Sequence, residues 1–166
     1  PRLSTPARTK QSIAREHSTM EAIQPTPTFK PLIGTEEATI DEKGRVMVAK
    51  KKRDRLGDDF VLALTMTGCV AAYPSQIWQK MVDEMLSGPA NNFGREQYTR
   101  LMLGTADDDL NFDQQGRLIV PAKLRKAVGL DKKGAKLLLI GCGDRMEIWL
   151  ETEWEIFNRF PDEYGR

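Results

Sequence analysis

The stretch Asp41-Glu42-Lys43-Gly44-Arg45-Val46-Met47-Val48 recurs as Asp113-Gln114-Gln115-Gly116-Arg117-Leu118-Ile119-Val120. The register holds through Lys51 with Lys123 and Arg53 with Arg125. It resumes after a longer loop, Leu130 to Ala135, in the second copy. There Phe60-Val61-Leu62-Ala63-Leu64 matches Lys136-Leu137-Leu138-Leu139-Ile140, Tyr73 matches Trp149, and Trp78 matches Trp154. Upstream, Gly34-Thr35 and Gly104-Thr105 open the two copies. An internal repeat of this kind constrains the fold more than any single motif, because each copy must adopt the same local structure.

Read outward from that stretch, each copy starts with a short strand, about Glu37–Ile40 and Asp109–Phe112, and enters a tight glycine turn. A β-branched or aliphatic run follows, Val46–Val48 and Leu118–Val120. A short helix comes next: Lys50–Leu56 closed by Gly57 in the first copy, and one opened by Pro121 and stopped by Gly129 in the second. Two further strands form a hairpin, Phe60–Thr65 with Cys69–Tyr73 and Lys136–Ile140 with Met146–Leu150, the latter turning at Gly141-Cys142-Gly143-Asp144. A longer helix ends each copy. Ser75–Ser87 places Trp78, Met81, Val82 and Met85 on one stripe, expected to be core or subunit interface rather than a cofactor box. Thr152-Glu153-Trp154-Glu155 reads as a capping box. Phe93 to Leu103 reads as a helix with Phe93, Tyr98, Leu101 and Met102 inward.

The expected organisation is a basic, disordered extension over 1–30, a first unit over 31–88, a connecting helix over 89–104, and a second unit with its C-terminal helix over 105–166. A unit of this size buries too little apolar area to offset chain entropy alone, so the two are expected to share a core.

Composition excludes several classes of function. Of 166 residues, 40% are hydrophobic and 30% charged, an ordinary balance for a globular chain. No apolar stretch is long enough to span a membrane, and no apolar segment follows the first basic residues, so a cytoplasmic protein is expected. Cys69 and Cys142 form no C-x-x-C pair and the one histidine, His17, lies in the polar extension, so no metal site and no cofactor are expected. Both cysteines read as small apolar residues near strand ends. The net charge of +1 is uneven: Arg2, Arg8, Lys10, Arg15 and Lys30 make the first thirty residues basic and leave the remainder slightly acidic. A body of that charge needs a local basic face to hold nucleic acid. No nucleophile with a base and no phosphate-cradling loop is present, which argues against an enzyme.

The chemistry lies in the repeated Asp-x-x-Gly-Arg. Asp41 and Asp113 can accept hydrogen bonds from turn amides, and Gly44 and Gly116 supply positive φ or close approach. Arg45 and Arg117 then leave the turn on a fixed backbone, with a group suited to phosphate oxygens and to the O6/N7 edge of guanine. Two readings stand side by side: the arginines contact DNA, or each pairs with its own aspartate. Lys43 at the first tip is replaced by Gln115 at the second. Lys50 and Lys51, in the run Lys50-Lys51-Lys52-Arg53, are candidates for gripping phosphates or simply a solvated helix face. The run Asp107-Asp108-Asp109 leads into a strand with alternating side chains and is discounted as a metal site.

From Leu32 to Phe160 the chain resembles the MraZ family, a duplicated member of the SpoVT/AbrB-like swapped-hairpin superfamily. The marks are Gly34-Thr35, Asp41-Glu42-Lys43-Gly44-Arg45, Tyr73-Pro74 with Trp78, Gln115-Gly116-Arg117, Val120-Pro121-Ala122-x-Leu124-Arg125, and Glu147-Ile148-Trp149 with Trp154. The resemblance implies an α+β fold, with duplicated units forming an intrachain pseudo-dimeric swapped-hairpin barrel and flanking helices. It also implies a sequence-specific DNA-binding transcriptional regulator of the division and cell-wall gene cluster. Such a protein binds promoter repeats as a ring-shaped homo-oligomer, octamer or dodecamer, and is associated with the nucleoid. The family's Asp-x-x-x-Arg motif falls on Asp41/Arg45 and Asp113/Arg117, with the arginines as DNA contacts. The first copy departs from the family pattern: Ala49 and Lys52 stand where a Pro and a Leu are usual, and Lys52 is expected to face solvent or a neighbouring subunit. The competing reading is an oligomeric interaction scaffold or antitoxin-like partner binder.

Overall fold

The computed structural model describes residues 30–89 and 91–159. The basic extension read over 1–30 therefore lies, except for Lys30, outside the described residues. Twelve elements follow in order: β1 Leu32–Thr39, β2 Arg45–Met47, α1 Lys50–Leu56, β3 Phe60–Leu64, β4 Val70–Pro74, α2 Ser75–Ser87, α3 Phe93–Thr105, β5 Arg117–Ile119, α4 Ala122–Ala127, β6 Lys136–Gly143, β7 Met146–Leu150 and α5 Glu151–Arg159.

The strands form an antiparallel five-stranded sheet, β1-β6-β7-β4-β3, and a separate two-stranded ribbon, β2-β5. Pairing crosses between the copies of the repeat. β1 of the first pairs with β6 of the second along its whole length, from Leu32 opposite Gly143 to Thr39 opposite Lys136. β4 pairs with β7, and β2 with β5. The matching contact on the other side is a single pair, Leu62 with Asp107, in which each amide donates to the other's carbonyl.

Burial alternates along the strands as a two-faced sheet requires. Phe60, Leu62, Val70, Ala72, Leu137, Leu139, Met146 and Ile148 point to one side. There they meet Val46 and Leu118 from the ribbon and Leu56 and Leu124 from the short helices. That cluster draws on both copies, nine buried residues from the first and eight from the second, so neither could form it alone. On the other side, Ala63, Ala71 and Tyr73 pack under Trp78, Met81, Val82 and Met85 of α2 and Met102 of α3. Cys69, Ile140 and Trp149 pack under Trp154 and Phe157 of α5. The apolar stripe read on Ser75–Ser87 therefore packs on the sheet, with Met85 buried and Trp78, Met81 and Val82 partly buried.

Several expectations are corrected. The mixed α+β architecture is as read, but no closed barrel forms among the described residues. The ribbon strands are three residues long and pair with each other, and only the pairs Ile40–Val46 and Phe112–Leu118 link them to their preceding segments. The segment 109–112 makes no strand: its backbone pairs at one position, Phe112 with Leu118, while Leu110 and Phe112 pack against the core. β6 runs on through Gly143, because Gly141 sits so close to β1 that a methyl there would meet the Leu32–Ile33 backbone. The turn accordingly moves to Asp144-Arg145, where the Cys142 amide donates to the Arg145 carbonyl at 2.9 Å. Helix α5 already starts at Glu151, so Thr152 is inside it and forms no capping box. Phe93, expected inward, is 72% exposed at the start of α3, whereas Met102 is buried. Cys69 is buried, which pushes its thiol up to about 12, but Cys142 is exposed.

Candidate nucleic-acid interface

The two hairpin tips have one geometry. The Asp41 carboxylate accepts from the amides of Lys43 and Arg45, both at 2.9 Å, and Gly44 donates to the Asp41 carbonyl at 2.9 Å. Asp113 does the same with Gln115, Arg117 and Gly116 at the same distances. The second carboxylate oxygen takes the guanidinium Nε: Arg45 at 2.5 Å and Arg117 at 2.7 Å. First the amide of the arginine, then its guanidinium, hold each carboxyl below the ordinary value near 3.8, outweighing the desolvation that opposes them. Gly44 and Gly116 have φ of +80° and +78°, the left-handed region that favours glycine.

The arginines thus pair with their own aspartates and still project. Their side chains remain 29% and 26% exposed, and among the described residues only Nε has a partner. In the ribbon Arg45 lies opposite Ile119 and Met47 opposite Arg117, with Val46 opposite Leu118. Opposed residues share a face, so Arg45, Arg117, Met47 and Ile119 are on one side and the buried pair Val46 and Leu118 on the other. Met47 and Ile119 are 54% and 47% exposed. The outer face therefore presents two anchored guanidinium forks diagonally, with an apolar side chain opposite each. A fork held at Nε leaves both terminal nitrogens without a partner among the described residues, and such groups suit phosphate or a base edge.

Of the lysines named from the sequence, Lys43 is exposed at the first tip. Lys50 is exposed on α1 with its Nζ 2.7 Å from Asp54, and Lys51 is exposed beside it. Lys52 is not at the surface. It is 3% exposed, with Nζ 3.1 Å from Glu36 of β1. It fills the inward position that Leu124 fills in the second copy, and its stem buries while its ammonium reaches a half-buried carboxylate.

Sequence reasoning gave Arg53 only a share in a basic run that could grip phosphates, and Arg125 no role of its own, although it aligned the two. The Arg53 guanidinium lies over Gly116 and that of Arg125 over Gly44, so each copy's short helix covers the other copy's tip. Backbone bonds cross the same way: Val120 donates to the Gly44 carbonyl at 2.8 Å and Val48 to that of Gly116 at 3.3 Å. The available signal was that Arg53 and Arg125, like Lys51 and Lys123, keep their identity between two short helices whose other positions change.

Two crossed hairpin tips on a doubled α+β body define a duplicated single-chain protein with a basic, pseudo-symmetric presenting face. The chain matches the profile of the family described as "MraZ protein, putative antitoxin-like" over residues 32–97 and 102–161. It is 38% identical over 116 residues to the transcriptional regulator MraZ of Lachnoclostridium phytofermentans, a match covering 70% of this chain and 79% of that protein. It is 34% identical over 123 residues to the transcriptional regulator MraZ of Pediococcus pentosaceus (74% and 83%), and 32% identical over 131 residues to that of Cutibacterium acnes (79% and 89%). The chain belongs to the MraZ family. The relatives carry the name of a regulator, not of an enzyme. Among the described residues no helix is long and apolar enough to cross a membrane.

Proposed function

We propose that this protein is a sequence-specific DNA-binding transcriptional regulator. It is cytoplasmic and nucleoid-associated, and binds repeated promoter sites of a division and cell-wall gene cluster as a ring-shaped homo-oligomer. The observation that carries this reading is the placement of Arg45 and Arg117 on one outer ribbon face, each anchored through Nε by its own aspartate with its terminal nitrogens unpartnered. The two copies, 31–88 and 105–166, are the pseudo-symmetric halves; Lys43 at the first tip, and Lys50 and Lys51 on the short helix that covers the second, add phosphate contacts. Affinity per protomer is modest, and linked copies raise the effective concentration at repeated sites.

The test is fluorescence anisotropy with the gene's own upstream DNA against a shuffled duplex. Wild type is expected to prefer the native sequence, and the Arg45→Ala/Arg117→Ala variant to lose that preference while keeping its fold. If the double variant binds like wild type, the assignment is wrong. A second reading, an interaction scaffold or antitoxin-like partner binder, draws on the exposed Met47 and Ile119 between the arginines and on the family's description. Affinity indifferent to sequence would favour it.

A further inference from the structure

We infer that Arg53 and Arg125 are crossed positioning residues: each sets the aim of the DNA-facing arginine that belongs to the other copy of the repeat. The inference rests on the regulator reading for its consequence, but its geometry stands apart from it.

A methyl group built on Gly44 would lie 2.7 Å from Arg125 Cζ, 2.8 Å from Nη1 and 2.9 Å from Nε. On Gly116 it would meet the same three atoms of Arg53, with Nε at 2.9 Å. Each guanidinium is therefore packed flat on a glycine α-carbon, in a space that only glycine leaves. Both Nε atoms are buried and have no hydrogen-bond partner among the described residues. A buried donor without an acceptor is unfavourable, so packing and not hydrogen bonding accounts for the placement. That cost recurs at both symmetry-related positions, which marks it as a property of the design and not an accident of one side chain.

The covered glycine directly precedes Arg45 or Arg117. Its carbonyl is held by Val120 or Val48, again from the other copy. The tip is thus clamped on its α-carbon and its carbonyl by the opposite copy, while its own aspartate holds its amides. Removing Arg53 releases the α-carbon clamp at the second tip only, and removing Arg125 does so at the first tip only. A planar group is required. Lysine keeps the charge but has no face to lay on the glycine, and its ammonium prefers water.

The test uses full-length protein without DNA. Amide hydrogen exchange is followed by NMR at residues 43–45 and 115–117 in wild type, Arg53→Lys and Arg125→Lys. Arg53→Lys is expected to speed exchange at 115–117 on the order of tenfold and leave 43–45 unchanged, and Arg125→Lys to do the reverse. Each tip is the internal control for the other, so general destabilisation cannot mimic the result. Equal change at both tips, or none, overturns the inference. Binding to the upstream DNA is then measured. Arg53→Lys is expected to weaken specific binding about tenfold despite the retained charge. Full rescue by lysine would mean that these residues act as phosphate charges, and would overturn the positioning role. If wild type itself shows no sequence preference, the regulator reading fails while the exchange result stands.

Discussion

Gly44→Ala separates two demands that the first tip makes on glycine. The first is conformational: at φ +80° an alanine stays in the left-handed region at about 1–2 kcal/mol. The second is steric: the new methyl meets the Arg125 guanidinium at 2.7–2.9 Å. That neighbour is the far end of a flexible side chain, so it swings aside, and the added cost is lost packing of about 1 kcal/mol rather than backbone rearrangement. Gly68 is the control, with φ +86° and nothing within 4 Å of an added methyl. Gly68→Ala is expected to show the conformational cost alone. In urea unfolding at one fixed protein concentration, a slope of about 2 kcal/mol per molar converts the extra 1 kcal/mol into a midpoint lower by about 0.5 M for Gly44→Ala than for Gly68→Ala. In the Arg125→Ala background the difference is expected to vanish, because the collision partner is gone. Equal midpoints for the two alanine variants in the wild-type background, or a difference that survives removal of Arg125, would show that the Arg125 guanidinium does not lie on Gly44.

The acid limb of stability follows from the lowered carboxyls of Asp41 and Asp113. Their contribution is fully present above the ordinary value near 3.8 and is lost as pH falls through the lower folded values, so Asp113→Asn is expected to flatten the loss of stability seen in melts below about pH 4. Lys52→Ala is expected to cost about 1–3 kcal/mol in chemical denaturation. It empties a buried stem and strands Glu36, whose partial exposure keeps the loss below that of a fully buried pair. Lys50→Ala is expected to change stability by less than about 0.5 kcal/mol, since its pair with Asp54 is exposed. The same variant should reduce the salt slope of DNA binding by about one, and an unchanged slope would remove Lys50 from the interface.

The internal repeat, read from Asp41–Val48 and Asp113–Val120, determined most of the local structure: two glycine tips, two short helices, two hairpins and the apolar stripe of α2. These are local matters, set by turn chemistry, capping and periodicity within a few residues. The arginines of the tips were legible for the same reason, since Asp, Gly and Arg at that spacing make a closed turn with an outgoing guanidinium. Tertiary structure alone decided what crosses between the copies. The repeat aligned Arg53 with Arg125 but could not say that each lies on the other copy's glycine, because that contact joins residues far apart in the chain. Lys52 looked like a surface charge in a basic run. Its burial depends on Glu36 arriving from β1 beside a helix position that faces the shared core. The open sheet has the same origin: whether three-residue strands close a barrel or form a ribbon of their own depends on how two copies pack, and a single copy's pattern does not contain that information.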